Sequence, residues 1–231
     1  MENLFKIKDQ SEGSMISAMD CFEALNEEEK ERLNQNISRA QFKKGEIIIK
    51  EGFVASNIML IESGLAKLQV TNDNKESTLS LLKRNQFIGI ICTYACSHLN
   101  FSAVALENTS VIVIDIHLFN SFIENNGQFA LRLTQHISGI TNQMVHWLTR
   151  LKNKNIEGAL AMLLLDFVQI FEKENLILPF TRKEMAEMLG YSKESVINTL
   201  SKFNKEGIIK VSDKEIQILK MEKLKMISKA G

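Results

Sequence analysis

The sequence lacks the features that mark secreted and membrane-spanning chains. It has one proline, Pro179, and three cysteines in 231 residues. Three scattered cysteines exclude the disulfide framework on which small secreted domains depend, and no apolar run approaches the roughly 18 residues that span a bilayer. The first residues lack the basic start and apolar stretch of a signal peptide. We therefore expect a cytoplasmic protein without a membrane partner.

An excess of charge of either sign is also missing. The 28 basic and 28 acidic residues give a net charge of zero, which alone argues against a nucleic-acid partner. The charges are not evenly spread, because residues 180–231 hold 11 basic and 7 acidic residues, a net charge of +4, and the remainder carries −4. A mildly basic C-terminal module on a mildly acidic body is typical of a regulator whose DNA contacts are local.

Catalytic motifs are absent as well. There is no nucleophile–base triad, paired-carboxylate arrangement, phosphate loop or metal-protease motif, so neither an enzyme nor a metal site is predicted. What the sequence does have is a hydrophobic fraction of 45%. That fraction is sufficient for the cores of one large domain or two smaller ones.

The segment from Phe180 to Phe203 predicts two short helices joined by a tight turn. Thr181-x-x-Glu184 is a capping box, in which hydroxyl and carboxylate satisfy free N–H groups at a helix start. Gly190 can end that helix in the left-handed conformation, and Ser192 can cap the next one. The apolar spacing of the second helix predicts one buried face, made of Val196, Leu200 and Phe203.

The opposite face of that second helix is polar, which suits insertion into a DNA major groove. The alternative is an ordinary helix pair, which the coincidence of caps, turn and spacing disfavours. We expect Glu194 to accept from a cytosine amino group and Asn198 to pair with adenine. The residues expected at DNA are Thr181, Arg182 and Ser192, as phosphate contacts, with Lys193, Glu194, Asn198, Ser201 and Lys202.

In the first half of the chain, a predicted helical segment is followed by a series of predicted β-strands. Residues 20–40 are predicted helical. Short β-rich runs then recur about every ten residues until Ile116, with a hairpin tip at Asn72-Asp73-Asn74. This spacing predicts an antiparallel barrel or jelly roll. The predicted strands are Ile47–Ile49, Ile58–Ile61, Ala66–Val70, Thr78–Leu82 and Val111–Ile114.

A long helix is predicted after the β-rich region. Apolar residues recur at intervals of three and four from Ala130 to Leu151, which is typical of a coiled-coil seam between two chains. The alternative is one helix that lies on its own barrel. A further helix is predicted over 155–172, and a β-hairpin over 207–219 that turns at Ser212-Asp213. The predicted dimer interface consists of Leu133, Ile137, Ile140, Met144, Trp147 and Leu151.

Over residues 20–220 the chain resembles the Crp–Fnr family of bacterial transcription regulators. The resemblance is carried by Lys44-Gly45-Glu46-x-Ile48, Gly52, Ile58, Ile61-x-x-Gly64-x-Ala66-x-Leu68 and the helix-turn-helix segment above. It implies an α+β chain with an N-terminal antiparallel β-roll or jelly roll (1–127), a long dimerisation helix (128–153) and a C-terminal winged helix-turn-helix (154–231). It also implies a homodimer on a palindromic operator in double-stranded DNA, RNA polymerase as a partner, and an unknown small-molecule effector.

The effector pocket departs from the family's pattern. Nucleotide-binding members carry a glutamate after the cassette glycine, where this chain has Ile90 after Gly89, and an arginine where it has Phe101 before Ser102. Without that arginine nothing offsets the cost of burying a phosphate. The positions that reach the purine from the dimer helix align with Met144 and Val145. We therefore expect an effector other than cyclic AMP and a pocket that is apolar, filled or repurposed.

Cysteine and histidine residues offer an alternative to a nucleotide effector, which is the sensing of a gas or of redox state. Cys92, Cys96 and His98 lie in the altered cassette, and His146 lies beside the seam. Thiolate and imidazole can hold haem or respond to redox state, so the alternative function is a haem or thiol-based redox or gas sensor that acts mainly through a protein partner. Buried, inert thiols and a surface histidine are the plainer interpretation. The effector, the operator and the choice between activation and repression stay open.

Overall fold

The computed structural model describes residues 16–72, 75–96 and 98–231. The chain forms two compact units, and the boundary between them lies inside one long helix, between Met144 and Val145. No helix among the described residues is long and apolar enough to cross a membrane.

The first unit joins a helical layer to eight strands. Helices α1 (Ala18–Glu23) and α2 (Glu27–Asn36) come first, each with a capping box at its start. The strands are β1 (Ile37–Phe42), β2 (Ile47–Ile49), β3 (Asn57–Ser63), β4 (Ala66–Asn72), β5 (Lys75–Leu82), β6 (Phe87–Ile88), β7 (Ser102–Ala105) and β8 (Thr109–Asp115). Helix α3 (Ile90–Ala95) separates β6 from β7, and α4 (Ile116–Asn125) and α5 (Gly127–Lys152) follow β8.

The strands form two four-stranded antiparallel sheets, with the orders β1-β8-β3-β6 and β2-β7-β4-β5. This arrangement confirms the predicted antiparallel β domain. One apolar core lies inside the roll and includes Ile61, Ala66, Phe101 and Val111. A second core packs α1, α2, α4 and the start of α5 against the outer face of the β3–β8 sheet, and it is rich in phenylalanine: Phe22, Phe87, Phe119, Phe122 and Phe129.

The prediction of helix over residues 20–40 is wrong for its last part. Strand β1 begins at Ile37, because residues 37–42 pair along their whole length with β8, a contact about 70 residues away in sequence. The short strands β6 and β7 were not predicted. The predicted hairpin lies between β4 and β5, but its tip at residues 73–74 lies outside the described residues.

The second unit contains the predicted helix-turn-helix. Helix α6 (Ile156–Phe171) confirms the helix predicted over 155–172, and it is followed by β9 (Asn175–Ile177), α7 (Arg182–Leu189) and α8 (Lys193–Lys205). Strands β10 (Ile209–Ser212) and β11 (Glu215–Ile218) form the predicted hairpin, whose turn residues are Asp213 and Lys214. The third strand of that sheet, β9, and the last helix, α9 (Met221–Ala230), were not predicted.

Candidate nucleic-acid interface and effector pocket

The ends of α7 and α8 are built by the residues that the sequence indicated. The Glu184 amide donates to Thr181 Oγ1 at 3.2 Å, while the Thr181 amide donates to Glu184 Oε2 at 2.8 Å. Gly190 ends α7 with φ +70°. Ser192 Oγ then accepts from the Ser195 amide at 3.1 Å and caps α8. Thr181 and Ser192 are therefore committed to capping, and both stay exposed.

Helix α8 is buried on one face and exposed on the other. Val196, Leu200 and Phe203 are at most 3% exposed, and α8 packs against α7, α6 and β10. The predicted base-facing residues all lie on the exposed side: Lys193, Glu194, Asn198, Ser201 and Lys202. Ile197 lies among them and is 40% exposed. Sequence reasoning missed it because only polar residues were considered, although its spacing from Glu194 and Ser201 places it on the same face.

Arg182 is tied to the hairpin that follows α8. Its Nη2 donates to the carbonyl oxygen of Asp213 at 2.7 Å, at the turn between β10 and β11. Burial lowers the pKa of Arg182, and the nearby Asp213 carboxylate opposes that shift. A guanidinium nevertheless keeps its charge in proteins. It therefore fixes the hairpin tip relative to the first turn of α7, in addition to its predicted place at a phosphate.

Lys202 is paired within the chain. Its Nζ donates to Glu157 Oε1 at 2.5 Å, in a salt bridge between α8 and the first turn of α6. Both side chains are partly exposed, so the pair is open to solvent and to an approaching phosphate. A salt bridge in such a position contributes little to stability.

In the first unit, the predicted effector position is filled by a side chain. Gly89 has φ +68°, and a β-carbon at residue 89 would lie 2.0 Å from Cζ of Phe101. Phe101 is 2% exposed and belongs to the core inside the roll. The aromatic ring therefore occupies the space beside Gly89. Phe101 stands at the position where the family's nucleotide-binding members carry an arginine.

The other predicted pocket residues have surroundings of their own. Ile90 is buried in the second core, with Phe87 and Phe119, rather than inside the roll. Ser102 Oγ accepts from the Glu51 amide at 3.0 Å. Met144 and Val145 are exposed, at 51% and 55%. Of the predicted set, only Gly89 and Phe101 are shown in mutual contact.

Comparison with known proteins shows that each of the two units matches the model of a known domain family. The model of the cyclic nucleotide-binding domain matches residues 39–126, and that of the Crp-like helix-turn-helix domain matches residues 158–227. The chain belongs to the Crp–Fnr family of transcription regulators. It is a DNA-binding regulator of this type and not an enzyme.

Curated relatives agree with this assignment, and two solved structures share the fold. Electron transport regulator A of Shewanella oneidensis is 28% identical over 214 residues, which cover 88% of this chain and 84% of that protein. The fumarate and nitrate reduction regulatory protein of Vibrio cholerae is 25% identical and covers 91% and 89%. A Crp/Fnr-family structure from Eubacterium rectale has a TM-score of 0.76 at 20% identity, covering 92% of this chain and 99% of that one. FixK2 of Bradyrhizobium japonicum has 0.73 at 18%, covering 84% and 98%.

Two cysteines of this Crp–Fnr regulator, Cys21 and Cys92, do not favour the thiolate. Burial, followed by the nearby Cys96, raises the pKa of Cys92, whose Sγ lies 3.0 Å from Asn100 Oδ1. Burial also raises the pKa of Cys21 to about 12. Within the described residues no group of three or more His, Cys, Asp or Glu side chains is placed to hold a metal ion, and His146 is exposed.

The predicted seam along α5 divides between two environments. Leu133 is 4% exposed in the second core, and Ile137 packs against that core. Trp147 Nε1 donates to Asp166 Oδ2 on α6 at 3.0 Å. Met144 is exposed, whereas Ile140 and Leu151 are half-buried. The exposed face of the helix carries instead Leu131, Thr134, Ser138, Thr141, Val145 and Leu148.

Proposed function

We propose that this regulator binds a palindromic operator as a homodimer and that its effector is not cyclic AMP. The proposal of sequence-specific DNA binding rests on one observation about α8. This capped helix buries its apolar face and has Glu194 and Asn198 on its exposed face. These two residues are one turn apart, so they can read neighbouring base pairs. A regulator that binds DNA acts where the DNA is, so the proposal includes a cytoplasmic location and RNA polymerase as the partner through which the regulator would act.

The proposed dimer uses the exposed face of α5. Leu131, Thr134, Ser138, Thr141, Val145 and Leu148 follow one another at intervals of three and four, which is the spacing of a two-chain seam. This stripe lies one residue further along the chain than the predicted seam. Thr134 Oγ1 donates to the Ala130 carbonyl at 2.8 Å, and Thr141 Oγ1 donates to that of Ile137 at 2.9 Å. Their hydroxyl hydrogens are thus already bonded, so these residues can be buried without leaving a donor unpaired.

The proposed exclusion of cyclic AMP rests on Phe101. A buried phenyl ring, which carries no charge to offer a phosphate, fills the space directly beside Gly89. The raised thiol pKa values and the exposed His146 do not favour the alternative of a haem or thiol-based sensor.

The test is selection of binding sites from random double-stranded DNA. The wild type should enrich two inverted half-sites. Glu194→Ala and Asn198→Ala should each cost about 1–3 kcal/mol of binding and relax the preference at one position of each half-site. Glu222→Ala removes an exposed carboxylate from α9 and is the matched control, which should select the wild-type motif. Failure of the wild type to enrich any motif would refute sequence-specific binding.

A further inference from the structure

Helix α8 exposes an apolar side chain in the middle of its DNA-reading face. Ile197 is 40% exposed, and within α8, which is described throughout, it is the exposed large apolar residue. It lies three residues after Glu194 and four before Ser201, so all three share one side of the helix. Any protein element or base that covers Ile197 also removes apolar area from water.

Ile197 lies in a cleft formed by three elements of the second unit. The residue lines a cleft with Arg182, Ser201 and Asn204, at the junction of α7, α8 and the first strand of the hairpin. Leu200 and Val211 also line this cleft and are apolar. As a β-branched residue in a helix, isoleucine has one strongly preferred χ1 rotamer. Its γ-methyl group is therefore expected to keep one position before any partner arrives.

In the major groove, one base presents an apolar group. Thymine carries a C5 methyl there, whereas the edges of adenine, guanine and cytosine present only donors and acceptors. The polar neighbours of Ile197 continue the DNA-reading face on both sides, so the occupant of this position in a complex is a base edge. An isoleucine cannot pair with a donor or acceptor and would leave it unsatisfied, which disfavours every edge except the methyl of thymine.

We propose that Ile197 is a specificity-determining residue that reads the C5 methyl group of a thymine in each half-site. This inference rests on the proposed binding of DNA through α8. It adds an apolar contact beside the polar contacts of Glu194 and Asn198. The contact selects thymine over cytosine by the methyl group and not by a hydrogen bond.

The test replaces each thymine of the selected half-site, one at a time, by 2′-deoxyuridine, which removes only the methyl group. At one position the substitution should weaken binding by the wild type about fourfold, which is the value of burying one methyl-sized group. In Ile197→Ala the same substitution should change binding less than about 1.5-fold at that position. Met226→Ala truncates a side chain of α9 that is 62% exposed and should keep the wild-type discrimination.

The outcomes separate this inference from the proposed function. If the wild type selects no operator, DNA reading through α8 fails. If the wild type binds its operator but no thymine shows a methyl effect that disappears in Ile197→Ala, the assignment of Ile197 is overturned while the proposed function stands. Alanine is a better helix former than isoleucine and the site is exposed, so the variant is expected to fold, and its circular dichroism spectrum and unfolding midpoint check this.

Discussion

The ring of Phe101 lies directly against Gly89, so closely that a β-carbon on Gly89 would lie 2.0 Å from the ring. The contact joins the strand β7 side of the roll to the turn before α3. Gly89 also has φ +68°, which L side chains adopt at a cost. Two independent constraints therefore require glycine at residue 89.

We expect Gly89→Ala to lower the free energy of unfolding by about 2–5 kcal/mol, the sum of backbone strain and overpacking. Gly45→Ala is the matched control, because Gly45 has φ +88° but nothing within 4 Å of a new β-carbon. It should cost about 1–2 kcal/mol. Urea unfolding measures both variants. If the two variants lose the same stability, the ring does not press on residue 89.

Cyclic AMP is expected neither to bind nor to change DNA affinity. Phe101 is 2% exposed and would have to leave the core to make room for a phosphate, and displacing a buried phenylalanine costs about 3–5 kcal/mol. Isothermal calorimetry with millimolar nucleotide should show no binding heat. Titration of the same sample with selected operator DNA is the control for competent protein. Micromolar affinity for cyclic AMP would contradict the proposal.

The dimer is expected to depend on the exposed stripe of α5. Val145→Asp should shift the protein from dimer to monomer at micromolar concentration, because a carboxylate would be buried unpaired at the seam. Gln143→Asp is the control on the opposite side of the same helix and is also exposed, so it should stay dimeric. Sedimentation velocity distinguishes the two. A dimer that survives Val145→Asp and Leu148→Asp would place the interface elsewhere.

His136 is expected to make stability pH-dependent. It is 4% exposed, its Nδ1 lies 2.6 Å from the Ile16 carbonyl oxygen, and its Nε2 has no hydrogen-bond partner among the described residues. Burial lowers its pKa below the usual 6.5, against opposing effects of the Ile16 carbonyl and Asp20. The unfolded chain therefore binds the proton more readily, so the stability that His136 contributes is complete above about pH 6.5 and is lost as pH falls through the lowered pKa.

Unfolding in urea at several pH values measures this effect. His136→Asn keeps a donor near the Ile16 carbonyl and cannot titrate, so its stability should fall less than that of the wild type between about pH 7.5 and 5.5. The other three histidines are exposed and serve as the background common to both proteins. Equal pH dependence in the two proteins would show that His136 is not the titrating group.

The part of the structure that sequence predicted well is held by local interactions. The capping box at Thr181, the left-handed Gly190 and the cap at Ser192 each involve residues within four positions of one another. Short-range signals of this kind are legible in one sequence. Strand β1 depends instead on pairing with β8, and its sequence Ile-Ser-Arg-Ala-Gln-Phe carries no strong pattern of its own.

For the predicted site residues, too, the sequence did not reveal the contacts that are distant along the chain. The departure at Phe101 predicted an altered pocket, but only the fold shows that the ring rests on Gly89 while Ile90 packs in another core. Along α5, spacing identified the apolar positions but not their partners. Leu133 is covered by its own chain, and the exposed stripe beside it contains Thr134, Ser138 and Thr141, which an apolar pattern does not detect.

The salt bridge between Lys202 and Glu157 is expected to limit the contact of Lys202 with DNA phosphate. Glu157 Oε1 accepts from Lys202 Nζ at 2.5 Å, and this hydrogen bond raises the pKa of Lys202. A lysine engaged by a carboxylate is less available to a phosphate. Glu157→Gln should therefore raise affinity for all DNA sequences alike and steepen the plot of log K against log salt by a fraction of the roughly 0.9 that one complete phosphate contact is worth. Filter-binding or fluorescence titrations at several salt concentrations give this slope.

Two further variants show whether the effect of Glu157 passes through Lys202. Lys202→Ala should weaken binding to all sequences and make the slope shallower by the remaining fraction, so that the slopes of Lys202→Ala and Glu157→Gln differ by about 0.9, without changing the selected motif. In the double variant, Glu157→Gln should then have little further effect, because the side chain that it would release is gone. If Glu157→Gln raises affinity equally in the Lys202→Ala background, Glu157 acts on DNA by its own negative charge, and the salt bridge does not control the phosphate contact.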